Sequence, residues 1–228
     1  MMKKVMSLAL ACIMATSLLP ESAAASNLSK NESDSTIGEI IEFNLVKADE
    51  NGISTCSDHD EIVEYMENRG WVPGSTFYVG NKQYKVLDDY QIMFLGTDEN
   101  YTANHMSDAT RAVSIPTVEG DLPYSSTYSI LNYMYSSYYW NVGSNGEVAN
   151  IGVVISPNST HSVRVDWIDA RNDESMGYKV LPNAYGLTGF VWTYGGEDFY
   201  LKFTNASSYG SSRISGAFNV YVDQVDIA

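Results

Sequence analysis

The sequence predicts a mainly β protein: a C-terminal antiparallel β-sandwich, jelly-roll-like, preceded by a small α+β region with one helix and a short β-meander. Three observations lead there. Seven segments between residues 128 and 222 carry strand-like patterning with no helical period between them. Turn residues punctuate them, among them Ser144-Asn145-Gly146, Pro157-Asn158-Ser159, Arg171-Asn172-Asp173 and Gly195-Gly196. And a single stretch, starting near Ser57 and stopping at Gly70, has apolar residues at helical spacing with signals at both ends.

Read in order, Met1 to Lys4 is a short basic start, and Val5 to Leu19 is apolar but short for a bilayer span. Pro20 breaks the run and Ala23-Ala24-Ala25 supplies small residues, so residues 1–25 are expected to be a signal peptide cleaved before Ser26. Cys12 lacks the Leu three residues earlier that a lipobox needs, since Ala9 stands there. Loss of Lys3, Lys4 and Glu21 takes the net charge from −15 to −16 and leaves Cys56 as the only cysteine. A lone thiol cannot staple the fold internally, so a hydrophobic core must hold it. A secreted, extracellular and bacterial setting is expected, with no membrane span after cleavage.

Residues 26–36 are polar and aperiodic and read as a flexible leader. The small α+β region is placed at 37–110. Glu39 to Val46 alternates, with Ile41, Phe43 and Leu45 on one side and Glu42 and Asn44 on the other. The helix is capped by Ser57 or Asp58, carries Ile62, Val63 and Met66 on one face, and has acids in its first turn where the macrodipole favours them. Short strands at Phe77–Val79, Gln83–Leu87 and Gln91–Leu95 make the meander.

The sandwich is placed at 120–228, with strands expected at 128–142, 147–156, 162–170, 177–181, 187–194, 198–205 and 214–222. The alternation is clean where Phe199, Leu201 and Phe203 oppose Tyr200, Lys202 and Thr204. Ile214, Gly216, Phe218, Val220 and Val222 likewise oppose Ser215, Ala217, Asn219 and Tyr221. These strands have the look of exported β-sandwich modules, an architecture that fixes no function.

Composition removes several functions. Twenty-eight acids against 13 Lys and Arg exclude a phosphate-backbone footprint, and so a nucleic-acid partner. Gly-x-Ser-x-Gly, His-Glu-x-x-His and the phosphate-binding glycine loop are all absent. A cysteine hydrolase built on Cys56 with His59, His105 or His161 is one alternative, although Asp58, Asp60 and Glu61 are poor company for a thiolate. A carboxylate-pair hydrolase is another, but the acids offer no pair to single out.

Two clusters remain. Asp166, Asp169, Asp173 and Glu174 bunch at one strand end and turn, a candidate calcium site without the twelve-residue loop pattern. No other cofactor is called for. Asp98-Glu99-Asn100 is a smaller acidic group.

The aromatic bias is the sharper signal. Seven Tyr and Trp residues crowd positions 124–140. On a strand from Tyr133 onward, Tyr133, Tyr135 and Tyr139 share a face, and Phe190, Trp192 and Tyr194 share one on theirs. Tyr133, Tyr135, Tyr139, Trp192 and Tyr194 are therefore the candidate ligand-binding residues. The function expected is a non-catalytic secreted binding module for a surface glycan, polysaccharide or cell-surface protein. The alternatives are a secreted hydrolase, or a structural or inhibitor-like interaction protein.

Overall fold

The computed structural model describes residues 35–49, 52–56, 58–98, 114–141, 147–195, 198–207 and 212–227; side chains at 47–49, 52–55, 147–149, 193–195 and 223–227 lie outside that description. The expected signal peptide, Glu99 and Asn100 of the smaller acidic group, and His105 also fall outside it.

The N-terminal part contributes β1 (Ile40–Ile41), β2 (Phe43–Asp49), β3 (Gly52–Cys56), helix α1 (His59–Glu67), β4 (Thr76–Val79), β5 (Lys82–Val86) and β6 (Ile92–Thr97). The remainder supplies β7 (Tyr124–Ile130), β8 (Tyr133–Tyr135), β9 (Trp140–Asn141), β10 (Glu147–Pro157), β11 (His161–Asp169), β12 (Ser175–Ala184), β13 (Leu187–Gly195), β14 (Asp198–Asn205) and β15 (Ile214–Ile227).

Strands β7 to β15 form the jelly roll. One sheet runs β7-β15-β10-β13 and the facing sheet runs β8-β14-β11-β12, all pairs antiparallel. Consecutive strands cross between the two sheets except at β8–β9 and at the β11–β12 hairpin, the strand order of a jelly roll. Inward residues of both sheets make the first core: Ile151, Val153 and Ile155 on β10, Val163 and Val165 on β11, Phe199, Leu201 and Phe203 on β14, and Phe218 and Val220 on β15.

The first sheet is longer than a jelly roll requires. β2 pairs in parallel with β13, aligning Phe43 with Leu187, and β3 pairs antiparallel with β2. The sequence places Glu39–Val46 with the small α+β region, yet this strand extends the sandwich sheet. Both of its faces are covered, since Val46 joins the first core and Leu45 a second.

That second core lies on the back of the same sheet. The meander, ordered β1-β6-β5-β4, and helix α1 cover it. Met66, Trp71, Phe77, Tyr84 and Phe94 pack there against Leu187, Val154 and Ala217. The result is three layers, with the long sheet in the middle. This explains the unbroken run Ile151 to Ile155 in β10: a strand buried on both faces has no polar side.

The helix obeys its sequence signals. The Asp58 carboxylate accepts the Asp60 N–H at 3.0 Å. Gly70 takes φ +71, and the Trp71 N–H reaches back to the Met66 carbonyl at 2.9 Å, closing the C-terminus.

The segment expected as one strand, 128–142, is three. β7 belongs to the first sheet and β8 to the second, so the chain turns at Leu131-Asn132 to cross between them. Buried Asn205 pins that crossing, its Nδ2 donating to the carbonyls of Leu131 at 3.0 Å and Ser212 at 2.7 Å. After β8 the chain leaves the ladder, and buried Ser136 supplies its Oγ to the Leu201 N–H at 3.0 Å. β9 then rejoins β14 two residues out of step.

Candidate functional site

The outward face of the four-stranded part β12-β11-β14-β8 has no layer over it among the described residues. Strand register decides what stands there. Asp166 lies opposite Tyr178 on one side and Lys202 on the other, and Lys202 lies opposite Tyr135. One row across the sheet therefore reads Tyr178, Asp166, Lys202, Tyr135. The adjacent row reads Val180, Arg164, Thr204, Tyr133.

The two rows lock together. Arg164 Nε donates to both Asp166 carboxylate oxygens at 3.0 Å, and its guanidinium lies 3.7 Å from the Tyr178 ring centroid. This Asp166 bond holds the guanidinium pKa above its ordinary value, so the charge is permanent. Lys202 Nζ sits 4.9 Å over the Tyr133 ring and 5.9 Å over Tyr135. Tyr133 and Tyr135 meet edge to face at 5.7 Å, and Tyr135 meets buried Tyr200 the same way at 5.7 Å. Tyr200 donates to Asp173 at 3.0 Å. The face thus ends in an exposed ring at each side, Tyr178 at 51% and Tyr133 at 37% exposure, with a planar cation, a carboxylate and an ammonium between them.

The sequence-predicted residues divide. Tyr133 and Tyr135 stand on this face. Tyr139 does not continue their strand; it bridges Glu119, with backbone bonds to Val118 and Gly120. Trp192 is corrected to a core residue. It is 6% exposed and stacks on Trp167 at 4.9 Å and on Phe190 at 5.8 Å, because its side of β13 faces the opposing sheet. Tyr194 lies on β13 opposite Ala149, and its side chain is outside the described residues.

The acidic cluster does not converge. Asp166 and Asp169 are three apart on β11, so strand alternation sends them to opposite faces. Each meets an arginine: Asp169 accepts Arg171 Nε at 3.0 Å and Nη2 at 2.7 Å. Burial alone would push the Asp169 carboxyl up, but its bonds to Arg171 overcome this and leave its pKa below the ordinary value. Asp173 is taken by Tyr200, and Glu174 is exposed with its N–H on Asn172. Among the described residues no three His, Cys, Asp or Glu side chains come together to hold a metal.

Cys56 Sγ donates to Glu61 Oε2 at 2.8 Å, an arrangement that suits a thiol and opposes a thiolate nucleophile. His59 is exposed, and His161 is buried against Tyr128 on a different element.

Sequence reasoning missed Arg164, Tyr178 and Lys202 as partners of the tyrosines. Lys202 was legible as outward-facing from the alternation of β14. What strand-by-strand reading lacks is the order of strands, which alone brings these residues side by side.

No known protein family matches the chain, and no curated protein matches it in sequence. Solved structures with some likeness include the pre-peptidase C-terminal domain of a collagenase from Bacillus anthracis. That likeness has 13% identity and a TM-score of 0.33, over 46% of this chain and 92% of that one. The VP2 subviral particle of infectious bursal disease virus shares 12% identity at a TM-score of 0.27, over 65% of this chain and 40% of that one. Both scores are low, and no function passes across them.

Proposed function

We propose that this is an exported, non-catalytic binding protein that holds a surface polysaccharide on the outward face of its second sheet. The observation that carries the reading is the Tyr178–Asp166–Lys202–Tyr135 row with Arg164 and Tyr133 beside it. Exposed rings offer stacking surfaces for sugar C–H faces, the Arg164–Asp166 pair holds the Tyr178 ring in place, and the Lys202 ammonium offers a directional bond to hydroxyls. Rings and charges are both mounted on strands, so the arrangement is preformed and little ordering is needed on binding. An insoluble or surface-bound polymer suits a flat face better than a small metabolite, which needs concave enclosure.

The test is sedimentation of the purified protein with cell walls and insoluble polysaccharides, with released reducing sugar assayed in the same tubes. Wild type should sediment without releasing sugar. The combined substitution Tyr133→Ala, Tyr135→Ala and Tyr178→Ala should abolish sedimentation while the melting transition survives. Sugar release by wild type, or retained sedimentation by the triple variant, would overturn the reading. Sedimentation should be the same with calcium and with chelator, because arginines already occupy Asp166 and Asp169.

A further inference from the structure

A concavity lies on the other side of the sandwich, where the cover provided by the meander ends. It is a cleft of about 580 Å³ between the tips of β5 and β6 and the β7–β15 edge of the long sheet. Its volume falls in the range of small-molecule sites, roughly 300–1,000 Å³.

The lining is unusually uniform in chemistry. Thr127 and Ser129 point outward from β7, and Ser215 faces Ser129 directly across the ladder. Asn158 joins them through a 3.2 Å bond from Nδ2 to Ser215 Oγ. Asn81 and Thr97 supply the opposite wall. The side chains of Asn81, Thr97, Thr127 and Ser129 take no hydrogen-bond partner among the described residues. Short hydroxyls and amides therefore converge on one space with their bonding capacity unspent.

Apolar surface completes it. Phe94 lines the meander side, and Ile37, 72% exposed, lies at the mouth over Gly96. Lys82 is the only charged lining residue described, and its ammonium rests on the carbonyls of Pro157 at 3.1 Å and Ser156 at 3.4 Å. No arginine fork is present among the lining residues, and a chain of net charge −15 repels polyanions.

The walls are fixed before any ligand arrives. Tyr128 Oη pairs with His161 Nε2 at 2.8 Å, and Tyr84 Oη with Ser156 Oγ at 2.7 Å. Burial pushes the Tyr84 phenol up to about 12 and Tyr128 well above its ordinary value, so both stay neutral.

We propose that this cleft is a carbohydrate site in its own right, seating a short stretch of a neutral glycan. The sugar hydroxyls meet the Thr127, Ser129, Asn158 and Ser215 wall, and the C–H face rests on exposed Ile37. It stands independently of the outward aromatic face, which lies beyond the second sheet.

The test uses four probes, maltotetraose, cellotetraose, xylotetraose and chitotetraose, titrated into the purified protein by calorimetry and by amide chemical-shift mapping. One probe should shift the amides of residues 127–129, 215 and 81–97. Ser129→Phe, a substitution at an exposed position that fills the cleft, should weaken that probe at least tenfold. Asn158→Ala with Ser215→Ala removes bonding groups without adding bulk and should weaken it as well, which keeps the test valid if the first variant folds poorly. Tyr133→Ala with Tyr178→Ala should leave the titration unchanged, separating this site from the aromatic face. Cleft amides unmoved by all four probes, or folded cleft variants that bind like wild type, would overturn the proposal.

Discussion

The backbone N–H of Gly80 donates to Asn219 Oδ1 at 3.0 Å, joining residues 139 positions apart and tying the meander to the long sheet. Gly80 also donates to Ser125 Oγ at 2.9 Å, while Asn219 Nδ2 returns a bond to the Tyr78 carbonyl at 2.5 Å. The fit demands glycine at 80. Its φ is +56, and a Cβ there would lie 2.5 Å from Ala217 Cβ and 2.9 Å from the Ser126 carbonyl oxygen. Asn219 is 5% exposed, so its loss strands polar groups away from water.

Asn219→Ala should cost about 2 kcal/mol in urea denaturation, the scale of leaving buried hydrogen-bonding groups unpaired. Asn219→Asp should cost more, because it loses the donor to Tyr78 and sets a carboxylate against that carbonyl oxygen. Faster hydrogen exchange at the Gly80 amide in both variants would place the damage at this joint. Alanine behaving like wild type would remove the joint from the account of stability.

His161 gives a pH dependence with a definite sign. Burial lowers its pKa below the ordinary 6.5, and the nearby Lys82 charge adds to the effect. The neutral ring is thus the form the fold prefers, and the unfolded chain takes up the proton more readily. Its contribution is fully present above about pH 6.5 and is lost as pH falls through the lower folded value. Comparing wild type with His161→Gln at pH 8.0 and pH 5.0 should show wild type losing more stability on acidification. Parallel losses in the two proteins would show that carboxylates alone govern the slope.

Lys179 sits on the inner side of β12 opposite Val165, 5% exposed, with no hydrogen bond to the described residues. Burial lowers its pKa, so the folded state disfavours the charge that it carries at neutral pH. Lys179→Met keeps the stem and removes the charge, and should stabilise by about 1 kcal/mol, roughly 2–4 °C in Tm. Because the folded pKa is depressed, wild type recovers this loss as pH rises towards 10.5, and the gap between the two proteins should narrow. A gap independent of pH would assign the gain to packing.

The layer plan explains what was legible in the sequence and what was not. Alternation set Ile214, Phe218 and Val220 on one side of β15, and all three lie in the first core. It also placed Ala217 and Asn219 on the polar side, where a half-buried strand meets water. Both are buried, because a third layer covers that side. The hint was in β10, whose apolar run has no polar side at all. Trp192 shows the same limit from the other direction. Parity correctly grouped it with Phe190, but parity cannot say which of two faces points inward. The Asp166–Asp169 pairing failed on parity itself, since residues three apart on a strand diverge.

Arg164 is the residue through which the aromatic face is most sharply tested. Its guanidinium holds Asp166 by both oxygens and backs the Tyr178 ring, while its own side chain is 38% exposed. A lysine there retains the charge but has no planar fork, so it loses the two-oxygen grip and the flat stack on the tyrosine. The stability cost should be small, about 1 kcal/mol or less for a partly exposed pair, and Lys202 across the ladder from Asp166 limits it further. Binding should suffer more than stability, because Tyr178 is no longer held in one orientation and ordering it falls to the binding step. Arg164→Lys should therefore weaken sedimentation with polysaccharide roughly tenfold, equivalent to about 1.4 kcal/mol, at nearly unchanged Tm. Arg164→Lys combined with Tyr178→Ala should be no weaker than Tyr178→Ala alone, since the arginine acts through that ring. Additive losses in the double variant would instead mean that the guanidinium contacts the ligand itself.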